Sequence, residues 1–129
     1  MIWTWGYFNF SEVFRAKKVD TTFVTNDILR NISKVLDAAT QVRIELNEPF
    51  IVHSFYRDPY HNAEARKNGL EQDPTGYHPK GLAIDVRHFK NHTVDQVLSV
   101  AKKYFNGIII YDWGFHLDLR DGFYFEDKR

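Results

Sequence analysis

The sequence predicts an α+β domain: a small, mainly antiparallel sheet with helices packed on one side. Three observations carry that expectation. Two stretches repeat apolar residues at helical spacing, four short segments rich in β-formers lie between and after them, and the returns that join them are brief. At 129 residues the chain has the length of one domain. No internal repeat, low-complexity stretch or Gly/Ser linker divides it, so residues 1 to 129 are expected to fold as a single unit.

Each element has its own signal. From Asn26 to Leu46 the apolar positions Ile28, Ile32, Val35, Leu36, Ala39 and Leu46 form one face of a helix, which Pro49 is expected to close. Phe50 to Ser54 reads as a strand. Asn62 to Asn68, ended by Gly69, reads as a short helix. In Leu82 to Arg87, alternation puts Leu82, Ile84 and Val86 on a core face and Ala83, Asp85 and Arg87 on the opposite, outward one. Thr93 and Gln96 make the capping box of a second helix, whose stripe is Val94, Val97, Leu98, Ala101 and Tyr104 and whose stop is Asn106-Gly107. Strands follow over Ile108 to Tyr111 and Phe115 to Leu119, the latter with Phe115, Leu117 and Leu119 inward and His116, Asp118 and Arg120 outward. Two strands thus offer polar groups to one shared surface. Glu126 to Arg129 reads as a solvated tail.

Composition bounds the function. Lys and Arg number 17 and Asp and Glu number 17, so the formal net charge is zero, and the basic pairs Lys17-Lys18 and Lys102-Lys103 are scattered. Without a gathered basic field, nucleic acid is not an expected partner. A hydrophobic fraction of 43%, with 11 Phe, 7 Tyr and 3 Trp, is enough to build a core and argues against disorder. With no cysteine, any metal must use His, Asp or Glu. The first residues lack the basic and apolar regions of a secretory signal, and the longest aliphatic runs, such as Ile108-Ile109-Ile110, fall far below the ~20 residues that span a bilayer. The expectation is a monomer made in the cytoplasm, without membrane insertion.

The chemistry concentrates in Gly76-Tyr77-His78-Pro79-Lys80-Gly81-Leu82-Ala83-Ile84-Asp85, followed by His116 on a later strand. Fully extended, His78 to Asp85 spans roughly 23 to 25 Å, so Pro79-Lys80-Gly81 must turn the chain back if both side chains are to meet one ion. Small residues at Gly81 and Ala83 are expected to keep bulk away from that ion. Two imidazoles and a carboxylate suit zinc, and three protein ligands leave a fourth position open, as in catalytic sites. Taken singly, each of these residues is an ordinary turn or surface residue.

Their company resembles the zinc D-Ala-D-Ala carboxypeptidases and related peptidoglycan peptidases of the M15 type. The family's Ser-x-His-x-x-Gly-x-Ala-x-Asp run is matched at His78, Gly81, Ala83 and Asp85, and its Ser-Gly-Tyr-Arg-Ser-Pro-x-x-Asn segment is echoed from Ser54 to Asn62. The closing Tyr-x-x-x-Phe/Val-His-x-Asp-x-Arg strand looks like Tyr111 through Arg120, and the opening Phe-x-x-Ser-Glu pattern recurs over Phe8 to Glu12. The resemblance covers nearly the whole chain. It implies a Hedgehog/DD-peptidase-like fold, zinc held by His78, Asp85 and His116, and a substrate carboxylate or carbonyl met by Arg57, whose ordinary alternative is an ion pair with Asp58. His61 and Asn62 are expected to orient the Arg57 loop. Tyr111 and Trp113 line the substrate pocket or belong to the core.

Two departures stand out. Gly76 occupies the position of the family's serine, and Trp113 the position where many relatives place the catalytic acid or base. A zinc peptidase needs a group to carry a proton, and the nearby candidates are Asp118 and Asp112, either of which has a structural alternative: supporting a histidine, or forming a turn. The expected function is hydrolysis of stem peptides in bacterial cell wall, as a D-Ala-D-Ala carboxypeptidase or an L-Ala-D-Glu or cross-link endopeptidase, in the manner of phage endolysins. The alternative is an inactive zinc-binding or peptidoglycan-binding module.

Overall fold

The computed structural model describes residues 4–5, 8–14, 23–58, 67 and 76–129. Strand β1 (Thr4–Trp5) pairs antiparallel with β2 (Phe8–Asn9), and helix α1 (Phe10–Val13) follows directly. Asn9 and Glu12 cap it reciprocally: Asn9 Oδ1 accepts the Glu12 N–H at 3.1 Å, and Glu12 Oε1 accepts the Asn9 N–H at 3.0 Å.

Helix α2 (Asn26–Leu46) begins where Thr25, in extended conformation, accepts the Ile28 N–H on its side-chain oxygen. Ile32, Val35, Leu36, Ala39, Val42 and Leu46 are buried along one stripe, as the spacing predicts. The stop is Asn47 rather than Pro49. Asn47 takes the left-handed conformation at φ 51° and returns its N–H to the Ile44 carbonyl, which an amide side chain tolerates well.

Strands β3 (Val52–Ser54), β4 (Ala83–Arg87), β5 (Gly107–Tyr111), β6 (Gly114–Asp118) and β7 (Tyr124–Asp127) form a mixed sheet in the order β3-β4-β6-β5-β7. All neighbours are antiparallel except β5 and β7, which run parallel. Helix α3 (Val94–Ala101) precedes β5 and carries the expected Thr93–Gln96 capping box. Among the described residues, no helix is long and apolar enough to cross a membrane.

One apolar cluster joins the stripe of α2 and Val97 and Ala101 of α3 to Val52, Ile84, Val86, Ile108, Ile110, Phe115 and Leu117 of the sheet. Full burial of each large aliphatic side chain is worth about 1.5 to 3 kcal/mol. Because strand side chains alternate, this leaves the opposite face of β4, β5 and β6 for polar groups.

Three further expectations are corrected. The end of the chain is solvated but is not a tail: Tyr124–Asp127 pairs along β5, and the Lys128 N–H reaches the Ile110 carbonyl at 2.7 Å. Helix α3 does not run on to an Asn106-Gly107 stop. It ends at Ala101, where Lys103 and Tyr104 donate to the carbonyls of Val100 and Ala101 in a tighter turn, and Gly107 already belongs to β5. The polar face of β4 and β6 is not outward in the sense of solvent, because Asp85, His116 and Asp118 are all buried. The short helix expected over Asn62 to Asn68 lies outside the described residues, apart from helical Lys67.

Thr93→Ala removes the Thr93 Oγ1 acceptor of the capping box and is expected to lower stability by about 1 kcal/mol. Urea unfolding of the two proteins measures it: the midpoint falls while the slope stays the same.

Candidate metal centre

Register alone brings two of the three candidate ligands together. Asp85 of β4 stands directly opposite His116 of β6, with Ala83 opposite Asp118 in the next pair on the same face. His116 Nδ1 lies 2.9 Å from Asp85 Oδ1. The third ligand arrives from outside the sheet. A turn over residues 77–81 is closed by the Gly81 N–H on the His78 carbonyl at 3.1 Å and by the Leu82 N–H on the Tyr77 carbonyl at 2.9 Å. His78 then has its Nδ1 2.6 Å from the Phe55 carbonyl, to which the ring must donate, and its Nε2 3.2 Å from Asp85 Oδ1. One ligand atom from each of His78, Asp85 and His116 lies within 4.8 Å of the others, and the three residues are 1%, 4% and 7% exposed. The group can hold a metal ion.

Gly81 serves this turn differently from the expectation. Its φ of 74° requires glycine, and a Cβ there would lie 2.8 Å from the Ile28 carbonyl oxygen and from Ile32 Cγ1. Its bareness seats the turn on α2, and the Asn31 side chain donates to the Lys80 carbonyl alongside.

Charge is balanced around Asp85. Burial works to raise its pKa, but His78 and His116 outweigh that and hold the carboxylate well below its usual range. Its second oxygen accepts from Arg57 Nη2 at 3.1 Å, and Arg57 Nε donates to Ser54 Oγ at 3.1 Å. Arg57 is therefore tied to a candidate ligand, at the edge of the group. On the far side of His116, Asp118 Oδ2 lies 2.8 Å from Nε2. Burial disfavours a charged imidazole, yet the hydrogen bonds to Asp118 and Asp85 prevail and push His116 up to about 9. Burial likewise opposes the Asp118 carboxylate, but His116 and Arg120 keep it below its usual range.

The remaining candidates fall elsewhere. Asp112 is exposed in the turn joining β5 to β6, beyond Gly114, which is itself two residues or about 7 Å along the strand from His116. The structure does not bring it to the group. Tyr111 and Trp113 are not part of the apolar cluster. They stack at 5.0 Å and 10°, with His53 tilted against Trp113 at 4.8 Å and Lys128 Nζ 5.8 Å from the Tyr111 ring centre, forming a ridge that borders the polar face. His61 and Asn62 lie outside the described residues.

Three participants were not singled out from sequence. The Phe55 carbonyl that orients His78 has no sequence signal. Arg120 shares the period-two face of His116 and Asp118, and Gly107 sits opposite Asp118 in β5, so both were open to a register argument. No family model and no curated protein matches the chain.

The pH dependence of metal-free protein tests this electrostatic arrangement. His116 is raised from 6.5 to about 9, so its contribution is complete below pH 6.5 and is lost as pH climbs through about 9. Asp85 and Asp118 are lowered from 3.8, so theirs is complete above that value and lost as pH falls. Thermal unfolding of chelator-treated protein is expected to show greatest stability between about pH 4 and 6.5. A melting temperature that rises from pH 6.5 to 9 contradicts the His116 pairing.

Proposed function

We propose that the chain is a zinc metallopeptidase with a Hedgehog/DD-peptidase-like fold, hydrolysing peptide bonds in the stem peptides of bacterial cell wall. The observation that carries this reading is the convergence of His78 Nε2, Asp85 and His116 in one buried group. Two imidazoles and a carboxylate, with no thiolate in the chain, form a borderline donor set that suits zinc. When bound, the ion supplies Lewis-acid chemistry, polarising a carbonyl and lowering the pKa of water.

The protein's own groups account for the rest. The Phe55 carbonyl fixes the His78 ring so that Nε2 faces the centre, and Asp118, hydrogen-bonded to His116 Nε2 from behind, leaves Nδ1 of that ring facing it. Arg57 holds positive charge beside Asp85, where a substrate carboxylate or a developing oxyanion gains charge-assisted hydrogen bonds. The ridge of His53, Trp113 and Tyr111 forms a wall against which a peptide packs. The motif resemblance from Ser54 to Arg120 favours stem peptides as substrate, through carboxypeptidase or endopeptidase cleavage.

A second reading, a zinc- or peptidoglycan-binding module without turnover, draws on the same geometry. Trp113 belongs to the aromatic ridge, and Asp118 has both carboxylate oxygens engaged by Arg120. A proton carrier works best with a pKa near the working pH, and Asp118 is held far below it.

Metal-free protein assayed on purified peptidoglycan and defined stem peptides, with and without stoichiometric zinc, separates these readings by mass spectrometry. Zinc-dependent release of D-Ala identifies a carboxypeptidase, and release of Ala-Glu fragments or opened cross-links an endopeptidase. Tight zinc binding without any product identifies the binding module. His78→Ala is expected to weaken zinc binding by more than the ~10 to 100-fold typical of losing a ligand's supporting partner. Asp112→Ala is expected to leave both binding and turnover unchanged.

A further inference from the structure

We propose that Arg120 is a positioning residue of the metal centre, locking Asp118 against His116 so that His116 keeps Nδ1 turned toward Asp85 and His78. The proposal rests on the metal-binding reading above.

Asp118 is 0% exposed, and its oxygens are spoken for. Oδ1 accepts from the Arg120 backbone N–H at 3.0 Å and from Nε at 2.9 Å. Oδ2 accepts from Arg120 Nη2 at 2.6 Å and lies 2.8 Å from His116 Nε2. A carboxylate gripped by a planar fork and a backbone amide cannot rotate, so its remaining acceptor direction fixes the imidazole in front of it.

Arg120 is itself held. Its guanidinium carbon lies 4.6 Å from the Tyr77 ring centre and 4.5 Å from that of Tyr124, a sandwich between the residue preceding His78 and the first residue of β7. Its carbonyl accepts from Asn106 Nδ2 at 2.7 Å. The strand beside it leaves room by carrying glycine: a Cβ on Gly107 would lie 2.2 Å from Asp118 Oδ1 and 2.5 Å from Arg120 Nε. Glycine is thus required at this register position by the ion pair.

The chain contains a natural control. Asp127 and Arg129 form the same fork two residues apart, with Nε to Oδ1 at 3.0 Å and Nη2 to Oδ2 at 2.7 Å. That pair is 38% and 42% exposed at its side chains and rests on no described histidine, whereas Asp118 is buried, with Arg120 18% exposed at its side chain, behind a candidate ligand. An i,i+2 fork forms readily in this sequence; of these two, the Asp118–Arg120 fork is built into the candidate metal face.

The test compares Arg120→Met, Arg120→Lys and Arg129→Met with the unaltered full chain, using cobalt(II) as probe. Affinity is read by chelator competition, coordination by the visible spectrum, and the His116 tautomer by nitrogen-15 NMR of the imidazoles in the diamagnetic zinc-loaded form. Arg120→Met is expected to bind cobalt about 10 to 100-fold more weakly, with a shifted spectrum and a changed tautomer balance. Arg120→Lys, keeping charge without the fork, recovers only part of the loss, and Arg129→Met matches the unaltered protein. If the unaltered protein binds no cobalt, the metal reading falls and this proposal with it. If Arg120→Met binds with unchanged affinity and spectrum, the metal reading stands and the positioning role is overturned. Should Arg120→Met fail to fold, Arg120→Lys is judged by the same two criteria.

Discussion

Asp85 carries a carboxylate into the pairing between two central strands, and the polar half of the molecule is arranged to keep its charge there. An ion removed from water costs several kcal/mol unless neighbours replace the lost solvation. Here Oδ1 is met by both imidazoles and Oδ2 by Arg57, which draws on three separate parts of the chain: the turn at 77–81, strand β6, and the segment leaving β3. A buried charge network of this kind is a weak source of net stability, since apolar residues of similar volume often do as well. Its presence among otherwise consistent core packing is what the proposed metal centre accounts for, since local rules are commonly broken at functional sites.

Helices α2 and α3 were legible because their determinants are local. Thr25, Thr93 and Gln96 cap through neighbours three residues away, and the stripe of α2 follows from spacing alone. The candidate ligands were legible as well, because alternation puts Asp85 and His116 on one face and the Pro79-Lys80-Gly81 turn returns His78. What covers a strand face is not written in its alternation. The polar face therefore reads as solvent-facing in sequence, while Asp118 is fully buried in the fold. Strand β7 escaped for a related reason: it pairs parallel with a strand that does not adjoin it in sequence, and its charged residues look like a tail until β5 supplies a partner. The partner of Arg57 turned on register too, since Asp85 is distant in sequence and Asp58 is adjacent.

The path of the chain links its last strand to the candidate metal face. β6 and β7 lie on opposite sides of β5, so the segment between them must pass the start of that strand. It does so at Gly107, where the Asp118–Arg120 pair fills the space a side chain would occupy. From there Arg120 stacks on Tyr124 and the chain enters β7, while the Asn106 carbonyl accepts the Tyr124 N–H at 2.8 Å. Docking of the last strand and orientation of His116 are thus parts of one packing arrangement, joined through Arg120.

That arrangement also bears on which group carries protons. In the metal-free protein His116 holds a positive charge between two carboxylates, and a metal ligand must be deprotonated on the nitrogen that binds. A metal ion held by His78, Asp85 and His116 would require His116 to give up the proton on its ligating nitrogen. Asp85 and Asp118 retain their charge throughout, because each is stabilised by a guanidinium as well as by histidine. Asp118 is consequently suited to orienting a ligand and poorly suited to accepting a proton near neutrality.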